Sequence, residues 1–109
     1  MGQVYSVELV LKYKDEKAVI QAAKDFIEST NADYVKNYGY DSIDSVVKTI
    51  LAAHQNMFEK IDEGQYCSSF DASCGWEVLL SEFYDSIRPY LKRGSKITVW
   101  PDNGHWTKK

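Results

Sequence analysis

A chain of 109 residues, 44% hydrophobic and 27% charged, has room for one core, so a single globular domain over residues 1–109 is expected. Thirteen basic against sixteen acidic side chains leave a net charge of −3 with no basic stripe, which argues against direct nucleic-acid binding, and no apolar run approaches the ~20 residues of a membrane span. Two cysteines make no disulfide framework, so the expected setting is reduced and cytoplasmic.

From Val4 to Tyr13, the residues Tyr5, Val7, Leu9, Leu11 and Tyr13 alternate with polar neighbours, the pattern of a half-buried central strand. Lys14-Asp15 turns the chain, and Asp15 is placed to cap a helix running to about Ser29. Val19, Ala22, Ala23, Phe26 and Ile27 form its apolar stripe. Ser29–Asp41 is polar and rich in tyrosine. It reads as an ordered loop in which Tyr34, Tyr38 and Tyr40 form a lid over the core or a binding surface. A second helix is expected from about Ser42 to Asp62, on the spacing of Ile43, Val46, Val47, Ile50, Leu51, Met57, Phe58 and Ile61, with its stop at Gly64.

A short strand follows at Tyr66–Asp71, then a helix capped by Asp71 or Ser73. Its apolar side carries Trp76, Leu79, Leu80, Phe83, Ile87 and Leu91, Pro89 tightens its last turn, and Gly94 sits where its C-cap belongs. Ile97 and Val99 alternate with Thr98 and Trp100 in a strand from Ser95 to Trp100. Pro101-Asp102-Asn103-Gly104 is a tight-turn signal, and a closing strand from His105 to about Lys108 completes a C-terminal hairpin. With Asn103-Gly104 as a two-residue turn, Trp106 stands beside Pro101 on the face of Val99 and Ile97, while Trp100, His105 and Thr107 share the other face. The sum is β-α-loop-α-β-α-β-β. This predicts an α+β fold with a single mixed four-stranded sheet and three helices mainly on one face.

Three chemistries compete for this scaffold. Cys74 follows a strand and stands at the first turn of a helix, where the dipole lowers a thiol pKa; with His105 as base and Asp102 as orienter it would serve a cysteine-dependent hydrolase or transferase. A pocket lined by Tyr34, Tyr38 and Tyr40 would instead hold a small molecule. The third reading, preferred here, is a protein-binding or regulatory accessory domain without catalytic activity. Its working surface is the aromatic sheet face away from the helices, with Val4, Val10, Thr98, Trp100 and His105, together with the C-terminal hairpin and the tyrosine-rich loop, and its partner is another protein or a second copy in a homodimer. The two cysteines and two lone histidines match no zinc-site spacing and the glycines form no phosphate loop, so neither a metal nor a cofactor is expected.

Overall fold

A computed structural model describes residues 3–30, 39–51, 57–72, 75–101 and 104–109. Strand β1 (Gln3–Val10) forms the middle of one sheet. It is followed by helices α1 (Glu16–Ser29) and α2 (Ile43–Leu51), the hairpin β2 (Met57–Asp62) and β3 (Gln65–Ala72), and helix α3 (Gly75–Ile87). A 3₁₀ turn (Arg88–Tyr90) leads to the second hairpin, β4 (Lys96–Trp100) and β5 (Trp106–Lys108). The strand order is β2-β3-β1-β4-β5, and every neighbouring pair is antiparallel. Since β3 and β4 both run against β1, they are parallel to each other with β1 between them, and β1 and β2 bracket β3 in the same way. Both helical connections therefore join parallel strands across an intervening one. This is the split β-α-β connectivity of ferredoxin-like folds, extended at one edge by β5.

The register fixes what each face carries. Val7 and Leu9 of β1 lie opposite Ser68 and Tyr66 on one side and Val99 and Ile97 on the other, and all are buried. Contacts to α2 and α3 leave from this face. Ser68 Oγ donates to the Leu51 carbonyl of α2 at 2.7 Å, and the Lys60 ammonium meets Asp44 of α2 at 3.0 Å. The Trp106 indole N–H donates to the Glu77 carboxylate of α3, and Lys108 pairs with Asp85 of α3 at 2.7 Å. Helix α1 closes the layer, with Phe26 edge-on to Phe83 of α3 at 5.9 Å between ring centroids. Each fully buried Leu, Ile or Val here contributes about 1.5–3 kcal/mol of transfer free energy.

Local signals held where the periodicity was unambiguous. Helix α1 ends at Ser29 and is capped by Asp15, whose carboxylate accepts from the amides of Lys17 and Ala18 at 3.1 and 3.3 Å. Pro89 converts the end of α3 into the 3₁₀ turn. Several expectations are corrected. The sheet has five strands where four were expected, and it is antiparallel where a mixed one was expected. The second helix stops at Leu51, and Met57–Asp62 is an edge strand. Phe58 stacks on Tyr66 at 6.0 Å, and Ile61, expected in the helix stripe, is the extra residue of a β-bulge and 60% exposed. Gly64 caps no helix; it turns the β2–β3 hairpin at φ +71°, with its carbonyl accepting from the Leu11 amide at 2.7 Å.

Gly94 is likewise no helix cap. It sits at φ +99° in a turn closed by a hydrogen bond from the Ser95 amide to the Lys92 carbonyl at 3.3 Å. In the last hairpin Val99 faces Trp106, two residues deeper than a two-residue turn would set it. A shift of two preserves the alternation, so Trp106 stays on the face of Val99 and Ile97.

Candidate functional site

The face of the sheet opposite the helices carries no helix among the described residues, although Thr98 on it is buried. Along β1 it presents Ser6, Glu8 and Val10, along β3 Cys67 and Ser69, and along β4 Lys96, Thr98 and Trp100. It is more polar than the aromatic patch expected from sequence. Thr98 and Thr107 hydrogen-bond across β4 and β5 at 3.0 Å, and Lys96 reaches Glu8 diagonally at 3.8 Å. Trp100 is the large aromatic of this face and is 40% exposed. It rims a trough of about 250 Å³ whose other walls include Ser6, Glu8, Glu59, Cys67 and Ser69.

The trough is poorly suited to nucleophilic chemistry. The Cys67 thiol lies 3.9 Å from a Glu59 carboxylate oxygen, and its pKa is raised by burial first, then by the charge of Glu59, its hydrogen bond to that carboxylate and the charge of Glu8. A thiol whose pKa is raised by burial and by two neighbouring carboxylates is a weak nucleophile at neutral pH. Among the described residues no group of three or more His, Cys, Asp and Glu is placed to hold a metal ion.

The residues singled out from sequence are placed unevenly. Cys74 and Asp102, two members of the alternative catalytic trio, lie outside the described residues, as do Tyr34 and Tyr38. His105 is exposed, just ahead of β5. Tyr40 is half-buried against the core, and the Lys24 ammonium stands 5.6 Å from its ring centroid, within cation–π range.

A second concavity was not anticipated. Where α3 gives way to the 3₁₀ turn and the chain returns into β4, a cleft of about 620 Å³ is bordered by Arg88, Lys92, Arg93 and Lys109, with Tyr84 and Leu91 among its other walls. Tyr84 is fully buried, and its hydroxyl has no hydrogen-bond partner among the described residues. Burial pushes the phenol pKa up, and the Arg88 guanidinium pulls it partly back. The cleft's outer wall is tied to the segment after β1. The Lys92 amide donates to the Lys12 carbonyl at 2.7 Å, the Lys12 amide donates to Ser95 Oγ at 2.8 Å, and Tyr13 bridges to Leu91. In the sequence these cations read as scattered surface charge. The available signal was the cluster Arg88, Lys92, Arg93 around a proline stop and ahead of a glycine turn.

No helix among the described residues is long and apolar enough to cross a membrane. No family model, no curated protein and no solved structure matches this chain.

Proposed function

We propose that this protein is a small binding module that takes a partner polypeptide on the open face of its sheet and carries out no covalent chemistry there. The observation that carries this reading is Trp100, a large aromatic 40% exposed at the lip of a concave trough on a floor of paired strands. A pre-ordered aromatic beside a pocket is the usual anchor of a protein interface. Glu8 and Glu59 on the same trough disfavour a phosphate backbone and suit a partner that brings an apolar side chain flanked by lysine or arginine. The raised thiol pKa of Cys67 is in keeping with binding in place of catalysis.

The test places a photoreactive amino acid at Ser69, in the trough, and irradiates the protein in its source cells. The expected product is a polypeptide adduct that disappears with Trp100→Ser, weakens with Glu59→Lys, and is absent when the probe sits at Glu82 on the exposed side of α3. The reading is overturned by labelling no stronger than at Glu82, or by an adduct indifferent to Trp100→Ser. It is equally overturned if Trp100→Ser costs the ~3–5 kcal/mol of a fully buried aromatic, since Trp100 would then be a packing residue.

A further inference from the structure

We infer that the cleft at the end of α3 is an oxyanion site built for the phosphoryl group of a small phosphate monoester. The inference does not rest on the sheet-face reading. It starts from a charge imbalance. In a chain of net charge −3, Lys24, Lys60, Lys96 and Lys108 each have a carboxylate within 4.0 Å. Arg88, Lys92 and Arg93 have none among the described residues, as is also true of the exposed Lys12, Lys14, Lys17 and Lys109; what sets the three apart, with Lys109 beside them, is that they line one cleft with no acidic side chain in its wall. One cation beyond the last turn of α3 is accounted for by the helix dipole. Three converging on one concavity are not, because like charges brought together repel unless a counter-charge joins them.

Tyr84 supplies the second, independent observation. The residue borders this cleft, and its hydroxyl is shut off from solvent without a partner among the described residues, which costs roughly 1–3 kcal/mol relative to a satisfied one. A tyrosine serving only to pack could be phenylalanine. The unpartnered hydroxyl and the three cations share one need: each can donate, and none has an acceptor among the described residues. A ligand that satisfies all of them is acceptor-only and multiply charged, as a phosphate dianion is. Guanidinium forks at Arg88 and Arg93 match two of its oxygens, and Lys92 adds a point charge.

The site is also pre-organised. The Lys92–Ser95 turn is held by the hydrogen bonds to Lys12, so binding need not order the loop. The volume of about 620 Å³ exceeds what a bare phosphate needs and falls in the range of small-ligand pockets. Leu91 offers an apolar wall for the organic part of the ester.

The test titrates the full chain at constant ionic strength with inorganic phosphate and with phenyl phosphate. Binding is followed by thermal shift and by amide NMR shifts at Arg93 and Gly94. Both probes are expected to bind saturably, phenyl phosphate the tighter. Tyr84→Phe should weaken them about tenfold, the effect of losing one hydrogen bond to a charged group, while the variant stays folded. Arg88→Gln with Arg93→Gln should weaken them further. Vesicles of phosphatidate in phosphatidylcholine separate two sources of the same chemistry: Tyr84-dependent vesicle binding assigns the phosphoryl group to a lipid, and its absence alongside phenyl phosphate binding assigns it to a soluble ester. The inference is overturned if neither phosphate probe saturates, or if Tyr84→Phe leaves their affinity unchanged. Binding of an RNA or DNA oligonucleotide without any response to phenyl phosphate would also overturn it, marking a polyanion surface.

Discussion

The two ends of the segment after β1 face opposite kinds of surroundings. On one side, Leu11 is clasped by the β2–β3 turn through Gly64, and the groups nearby answer one another. The Tyr66 hydroxyl donates to the Asp44 carboxylate, which also meets Lys60, and Lys60 reaches Glu63 at 3.1 Å. On the other side, Lys12 holds the turn before β4, where the buried Tyr84 hydroxyl has no partner and Arg88, Lys92 and Arg93 have no counter-charge among the described residues. Both flanks contain a fully buried tyrosine and a glycine at positive φ. What separates them is electrostatic closure. The first flank is complete within the chain, as buried polar groups in a structural role must be. The second is complete only with something added, which is how a binding site differs from a core.

The largest effect that can test this contrast comes from the glycines. A Cβ at Gly64 would overlap the Leu11 carbonyl oxygen, so Gly64→Ala combines left-handed strain with loss of the 2.7 Å clasp. A cost of about 2–3 kcal/mol is expected in chemical denaturation. At Gly94 the nearest atom is Cδ of the flexible Lys12 side chain at 3.1 Å, so Gly94→Ala should pay only the backbone strain, about 1–2 kcal/mol. Equal costs would mean that the two turns are alike in rigidity.

The tyrosines come next and should move in opposite directions. Tyr66→Phe removes the donor to Asp44 and is expected to cost about 1–2 kcal/mol, limited because water reaches the half-exposed carboxylate. Tyr84→Phe removes an unpartnered hydroxyl and should leave the protein as stable or about 1 kcal/mol more stable in phosphate-free buffer. A destabilising Tyr84→Phe would reveal a partner for that hydroxyl and erase the difference between the flanks.

Little of this contrast is legible in the sequence, while much of the fold is. Helix α1 and β1 follow from local periodicity and one capping carboxylate, and Pro89 marks the end of α3. The β2 strand does not, because Met57, Phe58 and Ile61 satisfy helical spacing while Phe58 and Lys60 satisfy alternation. The decision is made at long range, by the stacking of Phe58 on Tyr66 and the fit of Gly64 against Leu11. Of the candidate sites, Trp100 on the open face could be read from the alternation of β4, and an error of two residues in the hairpin register left that reading intact. Tyr84 could not be found that way. One residue on from Phe83 and at helical spacing with Leu80 and Ile87, it reads as core, and the lack of an acceptor for its hydroxyl is a property of its three-dimensional surroundings.

Acid should sharpen the contrast further. The hydrogen bond from Tyr66, ahead of that from Lys60, lowers the Asp44 pKa, while burial raises it; the net direction is down. A carboxyl whose folded pKa lies below its unfolded value near 3.9 adds stability that is fully present above that value and is lost as pH falls through the folded one. The wild-type melting temperature should therefore drop from about pH 5 downward more steeply than that of Tyr66→Phe, whereas Tyr84→Phe should run parallel to wild type. If Tyr66→Phe keeps the full acid slope, Asp44 is not held by that tyrosine.

The smallest effects are those of single exposed charges, and here the sign alone decides. Lys60→Gln abandons two carboxylates and should lower the melting temperature slightly at low salt. Arg93→Gln thins a crowd of cations and should raise it slightly. Both shifts should fade by ~0.5 M sodium chloride, where screening is complete within a few ångströms. Saturating phenyl phosphate should then invert the second comparison: the wild type gains stability from the ligand it binds, and Arg93→Gln gains less. A destabilising Arg93→Gln in phosphate-free buffer would mean that the guanidinium already has a partner within the chain. The cleft would then be a closed piece of structure like the Tyr66 flank, with no demand left for an anion.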